Sequence, residues 1–125
     1  MKHLKKNRQF GRPVGHRKLL LRNLIKYFFL NNGRLKTTVA KAKEIRPRIE
    51  KIITRAKKDN SVAAKREVYK IINNHKVIKK IFDEIAPKYI NRKGGYTRIY
   101  KLGFRSGDAA QIALITLVEE ENKEK

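Results

Sequence analysis

The sequence predicts an α+β fold: a single domain of about four helices packed on a small sheet with a C-terminal β-hairpin, plus an extended basic N-terminal tail. Three observations carry that expectation. Apolar residues recur at three-and-four spacing in four stretches between residues 16 and 86, the signature of amphipathic helices. After the pair Gly94-Gly95 the period falls to two, as in strands. Residues 1–43 hold thirteen Lys or Arg and no carboxylate. Such a run repels itself until a polyanion neutralises it.

The composition supports one domain. At 125 residues, 40% of them hydrophobic, the chain can bury roughly two thirds of its unfolded surface in a modest core. With 33 Lys plus Arg against 11 Asp plus Glu, the net charge is +22. That balance favours nucleic acid or an anionic membrane surface, because each cation placed near a phosphate releases condensed counterions. The absence of cysteine excludes disulfides and thiolate metal sites, and is compatible with a reducing cytosol.

Residues 1–15 alternate Lys, Arg and small or polar residues around Gly11, Pro13 and Gly15. With only Leu4, Phe10 and Val14 as apolar anchors, the segment cannot offset its ordering entropy alone, so it is expected to order on its anionic partner. Residues 16–32 read as a helix with Leu20, Leu21, Leu24, Ile25 and Phe28 inward, Arg17, Lys18, Arg22 and Lys26 on its flank, and Asn31-Asn32-Gly33 as a stop. Residues 34–36 allow a short strand. Thr37-Thr38 offers a cap for a second helix over residues 39–58, with Ala42, Ile45, Ile49, Ile52, Ile53 and Ala56 buried. Pro47 lacks a backbone donor and clashes with the preceding turn, so a kink or restart is expected there.

Asp59-Asn60-Ser61 breaks the chain before a third helix over residues 62–73, and a fourth follows with Val77, Ile78, Ile81, Phe82, Ile85 and Ala86 inward, stopped by Pro87. Residues 91–95 form a loop. Residues 96–102 alternate as a strand and 103–108 contain a turn. Residues 112–118 are a second strand, apolar on both faces and so expected to be covered on both. The chain thus divides into a basic extension (1–15), a single α+β domain (16–118) and a charged C-terminal end (119–125). The first thirty residues mimic targeting signals, but Arg22 and Lys26 interrupt the apolar stretch 19–30 and no serine is present, against a secretory or transit peptide.

No catalytic constellation is legible, and no cofactor is expected. His3, His16 and His75 lack the close pairing of a zinc site, and no cysteine completes a set. Gly94-Gly95 lacks the Lys-Ser/Thr ending of a phosphate loop. Its expected use is conformational, allowing close approach of backbone or ribose-phosphate. The cations around it, Arg92, Lys93, Arg98, Lys101 and Arg105, are candidate contacts, as are Lys2, Lys5 and Lys6 in the tail. Arg98 leads, because a guanidinium holds phosphate oxygens in bidentate fashion. Tyr96 and Phe104 have the chemistry to stack on unpaired bases. Aromatics at strand ends more often belong to a core, and both readings stand at this point.

These residues together resemble a known family, the bacterial large-subunit ribosomal protein numbered seventeen, without gaps from residue 1 to about residue 118. The resemblance rests on His3, Arg8 and Arg12; on His16-Arg17 followed by Leu21-Arg22-Asn23; on Lys36-Thr37-Thr38; and on Lys41-Ala42-Lys43-Glu44 with Arg46. In the hairpin it rests on Gly94-Gly95-Tyr96-Thr97-Arg98-Ile99, then Arg105 and Gly107-Asp108. The chain departs from the pattern at Leu4, where the family often has a basic residue, and at Pro13-Val14-Gly15, where small hydroxyl residues are usual. The resemblance implies a non-enzymatic structural constituent of the cytoplasmic large ribosomal subunit. It would bind and organise large-subunit ribosomal RNA near the polypeptide exit region, beside neighbouring large-subunit proteins, with no membrane or small-molecule substrate. It also implies RNA contacts at His3, Arg8, Arg12, His16, Arg17, Arg22, Lys36, Lys43, Arg98 and Arg105. On charge alone, a DNA-compacting protein or a cationic membrane binder using residues 19–30 are the competing functions.

Overall fold

A computed structural model describes residues 14–118 of the chain. Helix α1 (Val14–Leu30) begins two residues before the predicted start, so Val14 and Gly15 belong to it rather than to the tail. It buries Leu21, Ile25, Phe28 and Phe29, while Leu20 and Leu24 are only partly covered. Its end is closed by paired backbone bonds: Asn32 N–H donates to Phe29 O (3.2 Å) and Gly33 N–H to Phe28 O (2.9 Å). That pattern needs a left-handed residue after the helix, and Asn32 supplies it at φ 59°.

Strand β1 (Arg34–Thr38) runs two residues longer than expected and leads directly into helix α2 (Val39–Lys58). The Thr38 hydroxyl accepts the Lys41 N–H at 3.3 Å, a side-chain N-cap. The helix passes Pro47 without a restart. The carbonyl of Glu44 receives the Arg48 guanidinium at 3.0 Å, and the Glu44 carboxylate, itself buried, receives it at 3.1 Å. Helix α2 is the element on which the rest packs: it touches α1, α3 and all three strands. Ala42, Ile45, Ile49, Ile52, Ile53 and Ala56 are buried as predicted, and burying each isoleucine is worth about 1.5–3 kcal/mol.

Ser61 caps α3 (Val62–Ile72) by accepting Ala64 N–H at 3.0 Å, and Asn74 caps α4 (His75–Lys80) by accepting Val77 N–H at 3.1 Å. Beyond α4 the chain widens into a π turn (Ile81–Ile85) and tightens into a 3-10 turn (Ala86–Tyr89). The stop predicted at Pro87 comes later. Proline falls in the first turn of the 3-10 segment, where its missing N–H is not needed.

Strands β2 (Thr97–Phe104) and β3 (Gln111–Leu117) form the predicted hairpin, and β1 adds to the other side of β3, giving an antiparallel sheet of order β1-β3-β2. A bulge between Lys101 and Gly103 carries β2 two residues beyond its predicted end. The expectation that β3 is covered on both faces is not met. Ala113 and Ile115 are fully buried, but Ile112, Leu114 and Thr116 on the alternate face are only half-buried. Among the described residues all the packing onto the sheet comes from helices on one side, and the opposite face lies open.

Candidate nucleic-acid interface

The open face of the sheet follows from strand register. Arg34 and Arg98 flank Thr116 in one cross-strand row, and Lys36 and Tyr100 flank Leu114 in the next. Alternation puts all six on the side away from the helices, and Arg34, Lys36, Arg98 and Tyr100 are exposed. No Asp or Glu occurs in any of the three strands. The seven acids of the described residues lie outside the strands: Glu44 pairs with Arg48, Asp59 and Glu67 with Arg55, and Asp108 with Arg105 in the hairpin turn, Glu50 accepts from the start of β2 on the helix side, and Asp83 and Glu84 stand on the π turn. Arg34, Lys36 and Arg98 on this face therefore have no carboxylate partner among the described residues. It carries two hollows. One of about 450 Å³ is lined by Arg34, Arg98, Tyr100, Leu114 and Thr116, among others, and one of about 380 Å³ by Lys36, Phe104 and Arg105 with their neighbours.

The start of β2 is clamped to α2. One oxygen of the Glu50 carboxylate accepts Tyr96 N–H (3.1 Å), and the other accepts both the N–H (2.9 Å) and the hydroxyl (2.7 Å) of Thr97. Arg46 donates to the Thr97 carbonyl at 3.4 Å. Lys57 donates to the carbonyls of Arg92 and Tyr89 and lies 5.0 Å from the centre of the Tyr96 ring. Gly95, at φ 64°, makes the bend that feeds this clamp, and nothing stands within 4 Å of where a Cβ would sit on either glycine of the pair. The demand there is conformational, with no close approach of protein backbone.

At the far end of the hairpin Arg105 and Asp108 form a two-bond pair at 3.1 and 2.7 Å. The guanidinium bonds, then the Ala110 N–H donated to the same carboxylate, hold the Asp108 carboxyl down at about 2, while the Arg105 guanidinium is pushed further up by the same contact. Both side chains are about half exposed, so solvent screens the pair.

Comparison with known proteins decides the family. The sequence profile described as Ribosomal protein L17 matches residues 20–118. The chain belongs to the ribosomal protein L17 family. It is 50% identical over 111 residues to the large ribosomal subunit protein bL17 of Clostridium acetobutylicum, covering 89% of this chain and 96% of that one. It is 50% identical over 113 residues to bL17 of Halothermothrix orenii (90% and 97% covered) and 44% identical over 128 residues to bL17 of Petrotoga mobilis (97% and 99%). The family resemblance read from the sequence is thereby established. A ribosomal protein of this family is a structural component of translation and not an enzyme.

Within this L17-family domain the residues predicted as contacts fall into separate groups. Arg98 lies on the open sheet face beside Arg34, and Lys36 shares a hollow with Arg105. Lys101 pairs with Ala113, which puts it on the helix-facing side of β2, exposed at the sheet edge. His16, Arg17 and Arg22 lie on α1 and Lys43 on α2, while Arg92 and Lys93 lie in the loop before β2. His16, Lys43 and Lys93 are exposed; the other three are half-buried, and Arg92 donates to the Gly95 carbonyl at 3.2 Å. Lys2, His3, Lys5, Lys6, Arg8 and Arg12 lie outside the described residues.

Tyr96 requires a correction. Its side chain is 0% exposed, packed edge-on against Tyr89 at 5.5 Å, with the Thr54 hydroxyl 3.3 Å from its own. The ring is a core residue and offers no face to a base. Phe104 keeps that capacity, at 70% exposure. Arg34 and Tyr100 escaped the sequence reading, although a signal was present: each stands two residues from a predicted contact, Lys36 or Arg98, and so shares its face.

Proposed function

We propose that the chain is a structural constituent of the large ribosomal subunit in the bacterial cytoplasm, binding and organising large-subunit ribosomal RNA near the polypeptide exit region beside neighbouring large-subunit proteins. The observation that carries the reading is the acid-free outer sheet face with Arg34, Lys36 and Arg98 directed away from the core. Those cations have no carboxylate partner among the described residues, so an external anion completes them. Family membership and relatives named as large-subunit proteins support the reading of that anion as ribosomal RNA.

The contacts are chiefly to phosphate and ribose. The major groove of A-form RNA is too deep and narrow for side chains to reach base edges, so shape and 2′-hydroxyls dominate recognition of paired regions. Lys36, Arg98 and Arg105 of the sheet and hairpin, His16, Arg17, Arg22 and Lys43 of the helices, Arg92, Lys93 and Lys101, and the tail cations from Lys2 to Arg12 are the residues proposed to act. No helix among the described residues is long and apolar enough to cross a bilayer. The test is sedimentation of the tagged chain from cells. Comigration with large subunits is expected; binding duplex DNA as tightly as ribosomal RNA at physiological salt, without such comigration, would turn the assignment to DNA compaction.

A further inference from the structure

Resting on the ribosomal RNA reading, we propose that the open sheet face seats an unpaired nucleotide, its base stacked on Tyr100 and its flanking phosphates held by Arg34 and Arg98. Tyr100 is 50% exposed in the middle of β2, and its neighbour across the sheet, Leu114, is half-buried. Among the described residues no helix covers this face, and the aromatic ring stands exposed on it. Arg98 and Arg34 stand in the adjacent row, roughly 7 Å along the strands and roughly 10 Å from each other across β3. These side chains line the same hollow of about 450 Å³, together with Thr116.

The chemistry selects the occupant. An exposed ring one row away from two guanidinium groups, with no carboxylate in the sheet, matches a nucleotide, whereas an acidic protein segment would use the cations and leave the ring unused. A nucleotide uses both features at once, the ring for its base and the cations for its phosphates. A duplex would engage only the cations, because its bases are already stacked on each other. The occupant is therefore a single-stranded loop, bulge or end of the RNA. Tyr100 thus joins Phe104 as a ring exposed for stacking, the role for which the sequence offers Tyr96 and Phe104.

The test compares binding of the full-length chain to a labelled single-stranded RNA of mixed sequence and to an abasic strand of the same length. Tyr100→Ala should weaken binding to the base-bearing strand by roughly 5- to 150-fold, the range of one lost stacking contact, and leave the abasic strand unchanged. Tyr100→Phe should restore binding. Arg98→Ala should weaken both strands and lower the salt slope by about one. Tyr100→Leu, which keeps apolar volume without a π-face, should behave as the alanine variant even if the latter folds poorly. Equal binding of both strands by the unaltered chain, or no effect of the Tyr100 variants, overturns the proposal. So does a Tyr100 variant that binds RNA normally yet drops off large subunits, since the face would then be a protein contact. Failure of the unaltered chain to comigrate with large subunits overturns the ribosomal assignment instead.

Discussion

Gly33 shows how a single residue joins the helical and sheet layers. It sits at φ 81°, and its carbonyl accepts the Leu117 N–H at 2.9 Å. A Cβ built there would fall 2.3 Å from Leu117 Cδ1 and 2.6 Å from its Cγ. Left-handed strain and overpacking act together, so Gly33→Ala is expected to lower stability by about 2–4 kcal/mol, read as a shift of the urea midpoint at unchanged m. Asp108 acts at the same scale. Its folded carboxyl lies at about 2, below the ordinary carboxylate value, so its stabilising contribution is present above that ordinary value. The contribution is lost as pH falls toward 2. NMR titration of the Asp108 carboxyl should place its midpoint near 2 at low salt, and Arg105→Ala should raise it.

The clamp between α2 and β2 belongs to the scale of elements. Glu50 is the acceptor for three donors, two of them on Thr97, which is 2% exposed. Glu50→Ala leaves those donors unmet and should cost about 2–4 kcal/mol, whereas Glu50→Gln, keeping one acceptor oxygen, should lose less; chemical unfolding measures both. Because the clamp sets where β2 begins, the alanine variant should also raise amide exchange across Thr97 and its hairpin partner Leu117. Helix α2 itself was legible to the residue, since its cap, its apolar spacing and its terminating Asp59 are all local signals. The Glu50 clamp was not, because its partners stand 46 and 47 residues away. Nor was the burial of Tyr96: strand alternation alone would put it beside Arg98 and Tyr100, but the bend at Gly95 and the Glu50 bonds swing it inward.

For the whole molecule the governing quantity is charge, +22 in 125 residues. RNA affinity should fall steeply with salt, and removal of residues 1–15, which carry five Lys or Arg, should reduce the slope of log K against log salt by up to about 4; an unchanged slope would exclude the tail from binding. Composition, helical periodicity and the acid-free opening were enough to specify an α+β domain built to meet a polyanion, because charge density and amphipathic spacing are properties of the chain before it folds. Which cations and which aromatic ring share a surface depended on tertiary contacts. Strand order β1-β3-β2 brings Arg34 opposite Arg98 across 64 residues of chain, and one-sided packing by the helices leaves that face open among the described residues. Register and layer coverage arise from long-range pairing, which local spacing does not encode.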